Sequence, residues 1–211
     1  MAEHLTANVE NSFLSRARYP KGKKRLQAIL DATYDIVISQ GLAAASQEAI
    51  AKRANVTQSA VRHYFPTKDE LLFAFFATGV ERLQQLLQAK MAETEKDPRV
   101  QLLESASLHY DRMLEVEDVY FFEAAAFWGR NPDFRDMRDT WYQTLERHYV
   151  SLIERIHPEW DKTQSTAASF QVLTLILGGW VTMGSSRPFY RRRSRKSLNL
   201  MLLRGIERLI E

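Results

Sequence analysis

The sequence of 211 residues contains no cysteine and has few glycines (8) and prolines (6). The absence of cysteine excludes a disulfide framework, a thiolate metal site and a cysteine nucleophile, and it is typical of a reducing cytoplasm. The scarcity of glycine and proline excludes a collagenous or low-complexity chain. With 45% hydrophobic and 26% charged residues, the chain has the composition of a globular protein that can bury a sizeable core.

Motifs of catalysis are also lacking. The chain has no glycine-rich phosphate loop, no nucleophile elbow and no group of histidines and carboxylates with metal-ligand spacing. Its five histidines fall on different predicted elements, at positions 4, 63, 109, 148 and 157. We therefore expect neither enzyme activity, nor a cofactor, nor a metal site.

Membrane and export segments are not predicted either. The first 13 residues have no apolar run, so we expect no secretory signal. Residues 163–186 carry no charge, but their dense apolar part, 172–181, is much shorter than the ~20 residues that span a bilayer. This segment therefore predicts a helix buried in a globular protein, and we expect the protein to be cytoplasmic.

The small net charge of +3 hides a strong segregation of charge along the chain. Residues 16–68 hold 10 basic and 3 acidic groups, whereas residues 69–186 hold 11 basic and 19 acidic groups. Residues 187–211 are basic again, with 8 basic and 2 acidic groups. A basic N-terminal block joined to an acidic body predicts that the N-terminal part meets a polyanion and the body does not.

Helical periodicity and helix-capping signals run along the whole chain, and no segment alternates like a strand. A first amphipathic helix is followed by Gly41, which is a stop signal, and Ser46 and Thr57 can cap two short helices. Thr67 and Glu70 form a capping box before a long helix. The expected bounds of the longer helices are 23–40, 68–92, 98–116, 119–129, 132–156, 163–185 and 195–210. The sequence thus predicts an all-α protein of about nine helices.

The two short helices between residues 46 and 65 have the spacing of a helix-turn-helix motif. Asn55 is one of the few non-glycine residues that tolerate a left-handed turn, and Val56 and Val61 are apolar where the pair must close. In such a motif the second helix enters the DNA major groove by its N-terminus. The alternative interpretation is a bare helical hairpin in a core.

The exposed face of the second helix would carry Gln58, Ser59 and Arg62. Glutamine can pair with adenine, arginine with guanine, and serine with either a donor or an acceptor, so we expect these three side chains to face base edges. Side chains that suit phosphate oxygens lie around them: Thr57, His63, Tyr64 and Lys68.

A basic stretch precedes or begins the first helix. It can act as an arm along the phosphates or in the minor groove, or it can be a frayed tail with solvated charges. Its members are Arg16, Arg18, Lys21, Lys23, Lys24 and Arg25.

Residues 24–72 resemble the N-terminal domain of TetR-type transcriptional regulators. The matching features are the first helix ending at Gly41, the Ile-Ala-Lys-Arg-Ala run at 50–54, the Val-Thr pair at 56–57 and, above all, His-Tyr-Phe-Pro-Thr-Lys-Asp-Glu-Leu-Leu at 63–72. Asn55 stands where the family usually has glycine, and Val-Arg at 61–62 stands where leucine-tyrosine is common. Arg62 could therefore read a base or only bind phosphate.

This resemblance implies both residue roles and a domain organisation. It places a flexible basic arm at 1–22, a helix-turn-helix DNA-binding domain at 23–68 and a helical ligand-binding and dimerisation domain at 69–211. It also implies that the basic residues of 191–196 form a solvated loop far from the DNA. The residues expected to contact phosphate by resemblance are Ser46, Gln47, Thr57, Tyr64 and Lys68.

The last two predicted helices are too apolar for a chain without a partner. A surface helix needs only one apolar stripe, yet apolar residues exceed one stripe on both helices. One face can pack inward, and the resemblance implies that the excess packs against a second copy about a two-fold axis. The expected interface residues are Phe170, Leu173, Leu177, Trp180, Leu198, Leu202, Ile206 and Leu209.

Aromatic residues concentrate in the predicted body, because residues 109–160 hold 11 of the 23 aromatics. Such density suits an aromatic-lined cavity for a small molecule, and it suits a plain core equally well. The candidate pocket residues are His109, Tyr110, Met113, Phe122, Phe127, Trp128, Trp141 and Tyr142.

Together these features predict a TetR-like transcriptional regulator. We expect a repressor that binds a palindromic operator in double-stranded DNA as a homodimer and is released by a small-molecule ligand. The alternative is a DNA-bound protein whose C-terminal body recruits a protein partner and binds no small molecule.

Overall fold

The structure is a computed structural model that describes residues 17–93, 95–115, 118–183 and 193–211. Within these ranges it contains nine α-helices and no strand, which confirms the all-α prediction. Residues 1–16 of the expected arm, as well as Arg191 and Arg192 of the basic loop, lie outside the described residues. The helices are α1 (Pro20–Gln40), α2 (Gln47–Arg53), α3 (Gln58–Tyr64), α4 (Lys68–Met91), α5 (Pro98–Glu115), α6 (Asp118–Trp128), α7 (Pro132–Ile156), α8 (Lys162–Met183) and α9 (Arg195–Leu209).

Helix α1 begins three residues before the expected start at residue 23. Tyr19 is the extended N-cap residue, and Pro20 occupies the first turn, where its missing N–H costs no hydrogen bond. At the other end, Gly41 has a φ of +83° and its N–H donates to the carbonyl of Val37 at 3.0 Å. Glycine adopts this left-handed φ without steric cost, so the helix ends there. A short 3-10 turn, Leu42–Ala44, then leads to α2.

The described chain forms two compact units. The first unit contains residues up to Arg82 together with Val119–Arg135, and the second contains Leu83–Asp118 together with Asp136–Glu211. The first unit thus includes α6 beside the helices of the expected DNA-binding domain, a grouping that the sequence does not indicate.

Two groups of buried side chains build the first unit. Helix α1 buries an apolar stripe at helical spacing, which includes Leu26, Ile29 and Leu30. Aromatic rings surround Phe76, which is fully buried, and their centroids lie 5.3–5.8 Å from it. These rings belong to Tyr120, Phe127 and Phe134. Because two of them lie on α6, the cluster packs α6 against α4.

Hydrogen bonds set the register of the helices in the second unit. Ser105 Oγ lies 3.2 Å from His148 Nε2, and Gln101 Oε1 accepts from Arg155 Nη1 at 3.3 Å, so α5 and α7 run antiparallel. Ser169 Oγ on α8 donates to a backbone carbonyl of α7 at 3.3 Å. Within the described residues, no helix combines the length and apolar character needed to cross a bilayer.

Candidate nucleic-acid interface

Side-chain caps define both helices of the helix-turn-helix segment. Ser46 Oγ accepts from the N–H of Ala49 at 3.1 Å and begins α2, and Thr57 Oγ1 accepts from the N–H of Ala60 at 3.1 Å and begins α3. Asn55, between the two helices, has a φ of +53°, so the expected left-handed turn is confirmed. Such caps stabilise a helix by about 1 kcal/mol each, which matters for helices of only seven residues.

A backbone hydrogen bond fixes the turn after α2, and a side-chain hydrogen bond joins α2 to the end of α3. The N–H of Val56 donates to the carbonyl of Ala51 at 3.0 Å, and Gln47 Nε2 donates to the carbonyl of Phe65 at 2.7 Å. Val61 on α3 and Phe65, which follows the helix, are fully buried. The start of α2 is therefore tied to the end of α3. Because Gln47 Nε2 makes this internal bond, its expected contact with phosphate stays a prediction.

The three side chains expected to read bases are exposed on α3. Gln58 and Ser59 lie in its first turn, and Arg62 follows one turn later on the same side. Ser59 Oγ lies 2.9 Å from Thr57 Oγ1, so the two hydroxyls form a pair at the N-terminus of the helix. This arrangement presents an amide, a hydroxyl and a guanidinium to any surface that approaches α3, and these groups match the donor and acceptor pattern of the major groove.

The first turn of α1 packs closely against the end of α3. A Cβ at Gly22 would lie 3.2 Å from the Tyr64 hydroxyl and 3.1 Å from Ala17 Cβ, so glycine permits the close approach. The expected phosphate-binding residues Lys24 and Arg25 are exposed on the following turn, and His63 is exposed next to Tyr64, with ring centroids 5.1 Å apart. The basic start of α1 therefore lies next to α3, the helix expected to enter the major groove and called the recognition helix below.

Lys68 occupies a different environment from the exposed Lys24 and Arg25. Its half-buried Nζ donates to the carbonyls of Leu42 and Ala43, at 3.3 and 3.4 Å. The ammonium group therefore binds the turn before α2, and its contact with phosphate stays a prediction. Arg53 on α2 likewise pairs with Asp35 on α1, with Nη2 and Oδ2 2.7 Å apart.

A residue outside the helix-turn-helix motif also binds the turn at Leu42–Ala44. Glu123 on α6 accepts a hydrogen bond at Oε1 from the N–H of Leu42 at 3.2 Å. The two residues are 81 positions apart, and the sequence carries no signal for the contact beyond a carboxylate within an aromatic helix.

The candidate pocket residues are divided between the two units. Phe122, Phe127 and Trp128 belong to the first unit, where Phe122 is 48% exposed. The others belong to the second unit, namely His109, Tyr110, Met113, Trp141 and Tyr142.

Two of the candidate pocket residues in the second unit have buried polar atoms without a hydrogen-bond partner in the described part of the chain. His109 Nδ1 and the Tyr110 hydroxyl are buried without a hydrogen-bond partner among the described residues. Burial lowers the pKa of His109 to about 4, so its imidazole is neutral at pH 7, and burial raises the pKa of Tyr110 to about 12. Buried polar groups usually find partners, and a water or another molecule can supply one here.

The expected dimer-interface residues differ in their burial. Phe170 is 69% exposed, and Leu173, Leu177 and Leu209 are half-buried. Leu198, Leu202 and Ile206 are buried within the chain itself, because this stripe of α9 packs into the second unit. The structure does not describe the Trp180 side chain. Apolar side chains that the structure exposes on α8 and α9 also include Leu175, Val181, Leu200 and Met201.

Comparison with known proteins identifies the N-terminal region. A family described as bacterial regulatory proteins, tetR family, matches residues 29–75. The chain is similar to the HTH-type transcriptional regulator PksA of Bacillus subtilis (strain 168), with 33% identity over 115 residues that cover 49% of this chain and 52% of that protein. It is also similar to the HTH-type nicotine-responsive transcriptional repressor HdnoR of Paenarthrobacter nicotinovorans, with 27% identity over 159 residues, 74% of this chain and 80% of that protein.

A solved structure extends the similarity to the whole fold. SCO4454, a TetR-family transcriptional regulator from Streptomyces coelicolor, superposes with a TM-score of 0.72 and 16% identity over 98% of this chain and 96% of its own. These relatives are regulators and not enzymes, as the sequence predicts. Residues 29–75 therefore form the helix-turn-helix segment of the tetR family of bacterial regulatory proteins, and the chain as a whole has the fold of that solved regulator.

Proposed function

We propose that the protein is a repressor that binds a palindromic operator through α3. The observation that carries this proposal is that Gln58, Ser59 and Arg62 are exposed together on α3. This helix is capped by Thr57, follows a left-handed turn at Asn55 and has its end bonded to Gln47 of α2. A side chain that reads a base must be held by a rigid support, because a loosely held group loses its discrimination. Helix α3 provides that support, and the exposed Lys24 and Arg25 supply charge for the flanking phosphates.

A homodimer would place two such helices on one operator. Phe170 and Val181 are exposed on one face of α8, with the half-buried Leu177 between them on the same face, and Leu200 and Met201 are exposed on α9. Large apolar side chains clustered on a surface usually mark an interface. A two-fold dimer through these residues would bring the two recognition helices to half-sites about 34–36 Å apart, which is one turn of DNA.

The second unit is the proposed site of a small-molecule ligand. The neutral imidazole of His109 and the hydroxyl of Tyr110 are buried polar groups without hydrogen-bond partners among the described residues, and Met113, one turn further along α5, is also buried. A ligand with a hydrogen-bonding group and an apolar body would satisfy both features. HdnoR is named for its response to nicotine, which supports a ligand-responsive role for this chain without identifying the ligand.

Selection of bound sequences from a random DNA pool tests the proposed DNA-binding activity and identifies the operator. We expect a palindromic site whose affinity falls steeply as the salt concentration rises. Failure to enrich any sequence, or an affinity independent of salt, would contradict the proposal.

A thermal-shift screen of small apolar and amine compounds, on the same preparation, separates ligand release from the alternative function. A compound that raises the melting temperature and releases the operator supports the ligand-responsive repressor. A chain that binds the operator but responds to none of the compounds, and retains a protein partner on operator DNA, would favour recruitment of a partner by the C-terminal body.

A further inference from the structure

The turn between α1 and α2 is held by two side chains that are distant in sequence. Lys68 donates to its carbonyl groups, at Leu42 and Ala43, and Glu123 accepts from its N–H group, at Leu42. All of these residues belong to the first unit. The ammonium and the carboxylate therefore bind the turn at opposite ends of its peptide dipoles, the arrangement that electrostatics favours.

Glycine at position 41 leaves room for the carboxylate. A Cβ at this position would lie 3.2 Å from Glu123 Oε1, and the φ of +83° is one that other residues rarely adopt. Gly41 thus serves both the end of α1 and the contact with Glu123.

A short series of bonds connects this turn to the recognition helix. The N–H of Ser46 donates to the carbonyl of Ala44 at 2.8 Å, and Ser46 caps α2. The first residue of α2, Gln47, then bonds to the carbonyl of Phe65 at the end of α3. The position of the turn therefore determines where α2 begins, and α2 in turn positions α3.

We propose that Glu123 is a positioning residue for operator binding, which acts from α6 through the Leu42 N–H and α2 and touches no DNA. This inference rests on the proposed function. Helix α6 is itself held by the rings of Tyr120 and Phe127 against Phe76. Operator affinity consequently depends on where this aromatic cluster holds α6, although α6 lies outside the helix-turn-helix motif.

The test compares operator affinity, folding and local exchange in three variants. Glu123→Ala removes the acceptor, Glu123→Gln keeps an acceptor oxygen without the charge, and Glu154→Gln makes the matched change at an exposed site on α7. We expect Glu123→Ala to bind the selected operator about tenfold more weakly than wild type, which corresponds to ~1.4 kcal/mol. Glu123→Gln should recover most of the affinity, and Glu154→Gln should match wild type.

Amide hydrogen exchange of Leu42 reports the contact directly. In Glu123→Ala this amide should exchange faster, while the amides inside α3 and the melting temperature stay close to wild type. Wild-type operator affinity in Glu123→Ala would overturn the proposal, and so would an affinity loss that merely follows a loss of folded protein. If wild type selects no DNA, the proposed function fails, and unchanged Leu42 exchange in Glu123→Ala would separately refute the contact.

Discussion

Acid should destabilise this protein through His109. The side chain is 2% exposed, and burial lowers its pKa from 6.5 to about 4. The unfolded chain exposes the same imidazole with its ordinary pKa, so between pH 6.5 and about 4 the unfolded state binds more protons than the folded state. The free energy of unfolding therefore falls as the pH falls through this window, and the contribution of His109 is fully lost below about pH 4.

The size of the effect follows from the pKa difference. Each pKa unit corresponds to ~1.4 kcal/mol, so the whole window is worth about 3 kcal/mol, of which about 2 kcal/mol is lost between pH 7 and pH 5. Burial also lowers the pKa of His148 to about 4, which adds a loss in the same direction. Because His148 is only half-buried, water screens its charge and its contribution is smaller than that of His109.

Urea unfolding, followed by circular dichroism at pH 7, 6 and 5 and at one protein concentration, measures this loss. His109→Leu should remove about 2 kcal/mol of the pH dependence between pH 7 and 5, because it removes the titrating group. His63→Gln changes an exposed imidazole and is the matched control. A His109→Leu variant with the same pH dependence as wild type would show that the imidazole is not buried in the neutral form.

Further predictions concern DNA recognition and assembly. Gln58→Ala and Arg62→Ala should each cost roughly 1–3 kcal/mol on the selected operator and relax specificity at one base pair, as measured by competition with mutated sites. Lys24→Ala should instead weaken all sequences alike and lower the salt slope by about one unit; equal losses on random DNA for all three variants would refute the assignment of base contacts. Phe170→Glu, at an exposed apolar site, should give folded monomers in sedimentation, with operator affinity on the order of 100-fold weaker because the two heads are no longer linked. Gln171→Glu adds the same charge at the next exposed position and should stay dimeric, and Phe170→Glu monomers with full affinity would contradict the dimeric mode of binding.

Local chemistry explains why the helix-turn-helix segment could be predicted so closely. Ser46 and Thr57 cap the helices that they were expected to cap, and Asn55 adopts the left-handed turn. Each of these features depends on atoms within four residues along the chain, so the sequence contains all that is needed. The expected start of the first helix was wrong by three residues, since α1 begins at Pro20 and not at residue 23.

Contacts between distant segments could not be predicted in the same way. The sequence presents Lys68 and Gln47 as polar residues near a DNA-binding motif, and only the folded chain shows them bonded to the carbonyls of Leu42 and Phe65. The sequence equally gives no reason to select Glu123 from the acidic residues of the body. A hydrogen bond across 81 residues depends on how helices pack, and packing depends on the shape of every buried side chain.

Helices α8 and α9 show most clearly which features the sequence determines and which depend on the tertiary structure. The sequence by itself determined that both are helices, that both carry more apolar surface than one stripe and that they lie in an all-α chain. Only the tertiary structure decided which apolar side chains turn inward, with Leu198, Leu202 and Ile206 buried and Phe170 left exposed. The reason is that helical periodicity records which residues share a face, whereas the face that meets the core is selected by the neighbours against which the helix packs.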